Sequence, residues 1–118
     1  MSPELAKAWA RCRPWLLAAL EDATEDEVLA ELAAARAQLW FGEASALVTQ
    51  LVSGPEPFLH VWLGGGTLAE LKALAPGIEA WARAGGARAV RINGRRGWRR
   101  ALKAAGFSPD GEELRKAL

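Results

Sequence analysis

The spacing of apolar residues changes along the chain, and each change predicts a different kind of element. Up to Arg36, apolar residues recur three or four positions apart, as on one face of a helix. Between Gln38 and Leu63 they form short aromatic and β-branched runs separated by Gly, Ser and Pro, which is typical of strands. Helical spacing returns from Thr67 to Ala84, and the following segment ARAVRIN alternates at period two. The pattern therefore predicts an α/β (α+β) fold with a mixed sheet.

Helix signals refine the two helical regions. Thr24 followed by Glu27 three residues later forms a capping box, and it predicts a second helix that ends near Arg36. Proline lacks the backbone N–H that a helix interior uses. We therefore expect Pro14 to bend or split the first helix and Pro76 to kink the third.

Short connections make the runs at 38–43, 46–53 and 58–63 consecutive antiparallel strands. The helix at 67–84 can then act as a crossover, which places the strand at 87–93 parallel to and beside the strand at 58–63. The sequence thus predicts a sheet with one parallel pair.

The C-terminal part contains a last helix from Arg95 to Ala105, while Glu112–Leu118 fits either a short edge strand or a helix. The order is α-α-β-β-β-α-β-α, with a final strand left open. No long linker interrupts the chain, so we expect one domain over 1–118. Its parts are the N-terminal helices, 1–36, and the sheet with its packing helices, 38–118.

Composition excludes several classes of protein. Apolar residues make up 51% of the chain and charged residues 25%, as in a soluble globular domain. One Cys and one His are too few for an intramolecular disulfide or a zinc or iron–sulfur site, so no metal is expected. No apolar run approaches the ~20 residues that cross a bilayer, and the N-terminal segment carries charges where a signal peptide is apolar. We expect a cytoplasmic protein without membrane contact.

The charges are distributed unevenly. An acidic block spans Glu21–Glu31, and the interval between Glu79 and Asp110 contains eight basic and no acidic residues. Such a basic face, at residues 83–103, can attract an acidic protein or a nucleic acid. The alternative is that these arginines only solvate helix surfaces.

Four motifs in the second half of the chain occur together in one known fold family. They are the strand FLHVWL running into GGGT, a helix ending in IEAWARAGG, the strand ARAVRI, and ALKAAGF. Over residues 38–116 the chain resembles the GNAT superfamily of acyl-CoA-dependent N-acetyltransferases. The stretch from Gly94 to Phe107 also resembles short GNAT-like proteins of bacteriophages and prophages. The resemblance implies a GNAT-like sheet, with acetyl-CoA or CoA as the cofactor of any enzyme.

The functional positions that the resemblance implies are occupied by other residues. Leu102 stands where the family has the Tyr that protonates the departing CoA thiolate, and Arg95 where an Asn often opens the last helix. Trp98 stands where a small Ala follows, and Val61 where the diphosphate loop has Arg or Gln. We therefore expect a degenerate, non-catalytic GNAT-like fold that serves as a phage or prophage binding or accessory module, with no cofactor.

Two other functions stay open. The chain can be an N-acetyltransferase that dispenses with the Tyr, with His60 or Glu43 as the general base. A lone His in a strand is also typical of a half-buried structural residue bonded to a cross-strand carbonyl. The chain can alternatively be a structural virion or assembly component, which oligomeric state would distinguish. A phage-encoded chain would lie in the host cytoplasm.

Glycines ahead of the third helix are the candidate cofactor contacts. Gly64, Gly65, Gly66 and Thr67 precede a helix N-terminus, where unpaired N–H groups can bind a phosphate. If CoA binds, we expect its diphosphate there. The alternative is a strand-to-helix turn in which Thr67 caps the helix.

The last helix contains the candidate anion-binding face. Trp98 can stack on a partner, surrounded by basic residues three and four positions apart. Alternatively, Trp98 packs on the sheet and the basic side chains lie in solvent. The basic residues of this face are Arg95, Arg96, Arg99, Arg100 and Lys103.

Overall fold

The computed structural model of the chain describes residues 1–93 and 98–118, and it shows helices on both faces of one mixed sheet. The α+β class is as predicted, and the C-terminal segment adds two short strands to the predicted order. The helices are α1 (Pro3–Leu17), α2 (Glu25–Ala33), α3 (Leu68–Ala84) and α4 (Arg99–Ala104). The strands are β1 (Gln38–Phe41), β2 (Ser45–Val52), β3 (Phe58–Gly66), β4 (Ala89–Ile92), β5 (Ser108–Asp110) and β6 (Glu113–Ala117).

The sheet has the strand order β1-β2-β3-β4-β6-β5. The hairpin pairs β1–β2 and β2–β3 are antiparallel, and β3 pairs with β4 in parallel from Phe58↔Ala89 to Val61↔Ile92. Both predicted arrangements are confirmed: three consecutive antiparallel strands, followed by a parallel strand after the α3 crossover. The ambiguous C-terminal segment is a strand, β6, which lies between β4 and the edge strand β5.

Two apolar clusters lie on opposite faces of this sheet. On one face, α1 and α2 bury Trp9, Cys12, Leu16 and Val28 against β2 and β3. On the other face, the buried side chains come from α3, the sheet and the segment after α4. They are Leu47, Leu59, Leu71, Ile78, Ala82, Ala87, Val90, Ile92, Phe107 and Leu114.

The prolines do not divide their helices. The first helix continues through Pro14 to Leu17, and α3 continues through Pro76 to Ala84. Of the two expectations at Pro14, a split is therefore wrong and a bend stays a prediction, as does the kink at Pro76. Buried residues on both sides of each proline dock the whole helix onto the sheet, and this packing offsets the lost backbone hydrogen bond.

The second helix ends earlier than predicted. Its capping box is present, since Glu27 N donates to Thr24 Oγ1 and Thr24 N donates to the Glu27 carboxylate. Its last residue is Ala33, and Ala35 then adopts a positive φ of 59°. The Arg36 side chain turns back to form an ion pair of 3.0 Å with Glu31. The helix thus ends at Ala33, and residues 34–37 form the turn that leads into β1.

Candidate functional site

The parallel strands β3 and β4 separate after Val61, which lies in the middle of β3. The last pair is Val61↔Ile92, after which β3 continues to Gly66 along β2 while β4 ends. The register between β2 and β3 shifts at the same level, so that Trp62 has no opposite residue and forms a bulge. Bulges bend a strand and redirect its side chains, and they are common beside functional sites. The sheet therefore opens immediately after Val61.

A cavity of about 420 Å³, which we call the divergence cavity, lies at this opening on the α1/α2 face. Its size is suited to a small molecule. It lies beside the middle of β3, the end of β4 and the loop between α1 and α2. The residues that line it are Ala19, Glu21, Asp22, Ala23, Glu27, His60, Val61, Trp62, Leu63, Gly64, Ile92, Asn93, Trp98 and Glu113.

His60 lines this cavity from β3 and is half-buried. Burial lowers the pKa of its imidazole below the usual 6.5, because desolvation disfavours the charged ring, and the nearby Glu113 carboxylate only partly opposes this shift. The ring is therefore neutral at pH 7. A neutral imidazole can accept a proton or a hydrogen bond from a ligand in the cavity.

Four carboxylates line the same cavity. Glu21 and Asp22 belong to the loop between α1 and α2, Glu27 to α2 and Glu113 to β6. The described residues that line the cavity include no Lys or Arg. Together with the rings of Trp62 and Trp98, this environment favours a positively charged ligand.

The second candidate base, Glu43, lies far from His60. Glu43 is exposed in the turn between β1 and β2, next to Ser45, which pairs with Gly66. Gly66 lies six positions beyond His60 along β3, which corresponds to about 20 Å of strand. The structure does not bring the two candidate bases together.

Glu70 has the structural role at that turn. Its carboxylate accepts hydrogen bonds from Ala44 N (3.0 and 3.2 Å) and from the buried Ser45 hydroxyl. The Ser45 hydrogen bond is the main cause that holds the pKa of Glu70 below its usual 4.5, and the Ala44 N–H adds to it. The Glu70 carboxylate, in the first turn of α3, is thus hydrogen-bonded to the β1–β2 hairpin.

The glycine run belongs to β3 rather than to a loop. Gly64, Gly65 and Gly66 pair with β2, and Thr67 is the N-cap of α3 with its N–H bonded to Ala44 O at 3.0 Å. A Cβ on Gly65 would lie 2.5 Å from the Trp15 carbonyl oxygen, and one on Gly66, whose φ is +104°, would meet Ala44 O. Close packing therefore requires these glycines, and the Trp15 and Ala44 carbonyl oxygens occupy the space beside Gly65 and Gly66.

The basic segment is described only in part, because Arg95 and Arg96 fall outside the described residues. Arg99, Arg100 and Lys103 are exposed on α4. Trp98 is half-buried: it packs against the apolar cluster on the α3 face and lies within 4 Å of the Cβ position of Gly64.

Arg91 contributes less to this basic face than its sequence position indicates. Its guanidinium forms an ion pair of 3.0 Å with Asp110, lies 4.0 Å from Glu113 and stacks over Phe58. These contacts tie β4 to β5, β6 and β3. Arg91 is therefore a link within the sheet.

Three further findings concern chemistry outside the cavity. Cys12 is fully buried, and burial raises the pKa of its thiol despite the opposing charge of Arg11. Within residues 1–93 and 98–118, no group of three or more His, Cys, Asp or Glu side chains is placed to hold a metal ion. None of the helices in the same part of the chain is long and apolar enough to cross a membrane.

The acidic character of the cavity is not apparent from the sequence. The sequence pattern gives Glu113 no role and places Glu21, Asp22 and Glu27 only in an acidic block. The absence of any basic residue from that block is the available signal. The spacing of the block does not show that its loop lines the same cavity as His60.

Comparison with protein-family models, with curated proteins and with solved structures found no match for this chain.

Proposed function

We propose that this protein is a binding module whose ligand is an organic cation, such as a primary amine or polyamine, bound in the divergence cavity. One observation carries this proposal: four carboxylates and two tryptophan rings surround one cavity, and none of its described lining residues is Lys or Arg. The ligand's ammonium group would lie beside Asp22 in the loop between α1 and α2, and its alkyl part against Trp62 and Trp98.

The electrostatics of the cavity support a cationic ligand. Four carboxylates line the cavity and no described lining residue is Lys or Arg, so the local field attracts a cation. The neutral His60 does not cancel this attraction, since its pKa is lowered. Trp rings add a favourable interaction with a cation over their faces.

The arrangement of strands supports the GNAT-like relationship as part of this proposal. A parallel pair joined by a helix, with antiparallel strands on both sides, is the sheet that the resemblance implies. The residue at the Tyr position is Leu102, so a module that binds without acyl transfer accounts for both the fold and the substitution.

The experiment is calorimetric titration with spermidine at low ionic strength, with Asp22→Asn and Asp26→Asn as a matched pair. Asp22 lines the cavity, whereas Asp26 is exposed on α2 and does not. We expect Asp22→Asn to weaken binding about fivefold and Asp26→Asn to leave it nearly unchanged, because an ion pair at a partly exposed site contributes modestly. No binding at millimolar spermidine, or equal losses in both variants, contradicts the proposal.

A second candidate function is acyl transfer to such an amine. His60 favours it, because a neutral imidazole in the amine's own cavity can take up the ammonium proton. The glycine run does not fit the CoA diphosphate, since the Trp15 and Ala44 carbonyls occupy the space beside it.

Titration with acetyl-CoA and CoA separates the two functions. We expect a Kd of ~0.1 mM or weaker, equivalent to about 5.5 kcal/mol of binding free energy or less. Val61 supplies no cation at the diphosphate position, and the Glu70 carboxylate lies in the first turn of α3. Micromolar affinity would make acyl transfer the leading function.

A further inference from the structure

A second and larger cavity lies on the other face of the sheet. It has a volume of about 590 Å³ and lies between α3, α4 and the strands, and we call it the α3 cavity. Its walls are formed by Leu71 and Ile78 of α3, Leu59 of β3, and Leu102 and Phe107 from the segment around α4. All five side chains are apolar.

The α3 cavity is open to solvent on one side and is not an enclosed void in the core. Its volume of 590 Å³ is on the order of twenty times that of a liquid water molecule. The short helix α4 lies beside this space and has no buried residue of its own.

The polar groups at the cavity are nearly all accounted for. The Thr49 hydroxyl at its floor accepts from Trp40 Nε1 and donates to Gln38 Oε1, both at 2.9 Å. Lys116 at its rim is paired with Glu79 at 3.0 Å. The cavity therefore presents an apolar interior without an unsatisfied polar side chain in the described chain.

Two cations remain at the rim. Lys72 and Arg83 line the cavity from α3, are exposed, and form no ion pair with any acidic residue of the described chain. With Lys116 and Glu79 included, the rim carries three positive charges and one negative charge, a net +2. The net positive charge of the rim suits an anionic group, and the apolar interior suits an apolar chain. The cavity therefore fits a molecule that has both.

We infer that the α3 cavity binds a free fatty acid of medium chain length. The alkyl chain fills the apolar interior, and the carboxylate is bound by Arg83, whose planar guanidinium matches a carboxylate with two parallel hydrogen bonds. This site lies on the opposite face from the divergence cavity and does not depend on the function proposed there.

The first experiment titrates the full chain with two ligands that share one alkyl chain, laurate and dodecanol, both below their micellar or solubility limits. Tryptophan fluorescence reports binding, because Trp98 lines the cavity. We expect micromolar binding of laurate and weaker binding of the uncharged alcohol. Equal binding of the two ligands, or none of laurate, overturns the inference.

Matched variants locate the site. Arg83→Ala should weaken the binding of laurate about tenfold, because a charge-assisted pair of hydrogen bonds is lost. Arg88 is an exposed arginine outside the cavity, so Arg88→Ala should leave the binding of laurate unchanged. Ala75→Phe fills the cavity and should abolish binding, whereas Ala73→Phe on the exposed side of the same helix should retain it. Laurate affinity that is unchanged by Arg83→Ala overturns the inference even where Ala75→Phe fails to fold.

Discussion

At the residue scale, Trp98 has the most unusual position in the molecule. It lines both the divergence cavity and the α3 cavity, as do Val61 and Ile92, the last pair before the strands separate. The ring therefore forms part of the wall between two ligand-sized spaces. Its packing against the apolar cluster indicates a structural contribution.

Replacing Trp98 by Ala should join the two cavities. We expect Trp98→Ala to lower the free energy of unfolding by about 2–4 kcal/mol, because a large, half-buried ring is removed and no neighbour fills the space. Urea denaturation measures this loss. As a control, Trp81→Ala removes a ring that is 38% exposed and contacts Trp40 edge-on at 5.3 Å, and it should cost less. An unchanged stability of Trp98→Ala would instead place the ring in solvent with the arginines.

His60 gives the second prediction at this scale. Its pKa is lowered in the folded chain, so the unfolded chain binds the proton more tightly. The stability associated with the neutral ring is present above pH 6.5 and is lost as the pH falls through the lower folded pKa. His60 is the only His, and the shifted carboxylates Glu25 and Glu70 titrate below 4.5. Stability should therefore fall between about pH 6.5 and pH 5 because of this one group.

The control for this prediction is His60→Gln. Thermal unfolding of the two proteins across the same pH range should show the decline in the native chain and a much flatter profile in the variant. A decline that persists unchanged in His60→Gln would show that another group titrates in this window.

At the element scale, the backbone of α1 lies close against the end of β3. A Cβ on Gly65 would lie 2.5 Å from the Trp15 carbonyl oxygen, and backbone atoms cannot move aside as a flexible side chain can. We expect Gly65→Ala to lower the free energy of unfolding by about 1–3 kcal/mol as α1 is displaced from the sheet.

Gly77 provides the matched control. It lies inside α3 with nothing within 4 Å of its Cβ position. Gly77→Ala should raise the free energy of unfolding by about 0.5–1 kcal/mol, because alanine loses less backbone entropy in a helix. Urea denaturation of both variants tests whether their free energies of unfolding change in opposite directions. An unchanged free energy of unfolding in Gly65→Ala would mean that α1 does not pack closely against β3.

At the scale of the whole molecule, charge is segregated across the sheet. Residues 1–37, which contain α1 and α2, carry seven acidic and four basic side chains, a net −3. Residues 67–88 and 98–107, around α3 and α4, carry two acidic and six basic ones, a net +4. Opposite faces thus attract ligands of opposite charge, in agreement with the two ligands proposed above.

The exposed cations of α4 give the whole-molecule prediction. If this face binds a nucleic acid or an acidic protein, Arg99→Ala, Arg100→Ala and Lys103→Ala should each weaken binding and flatten its salt dependence by about one unit per lost phosphate contact. Lys7→Ala, on the α1 face, should have no effect. Measurements of DNA and RNA retention against salt test this. Absence of binding at ~50 mM salt would leave these residues as solvated surface.

The sequence by itself determined the elements that depend on local chemistry. The capping box at Thr24 and Glu27, the strand runs from Gln38 onward and the helical spacing of α3 are local patterns, and each is present in the structure. The parallel pairing of β3 with β4 also followed from the sequence, because a helical crossover between two strands leaves few topologies.

Only the tertiary structure decided what depends on contacts between distant segments. Continuous helices at Pro14 and Pro76 required the packing of their buried neighbours, and the role of the glycine run required the Trp15 and Ala44 carbonyls beside it. Both cavities depend on such contacts as well. Carboxylates from a loop, a helix and β6 line the same cavity as His60 only because the chain folds back on itself, whereas periodicity records only which side of its own element a residue occupies.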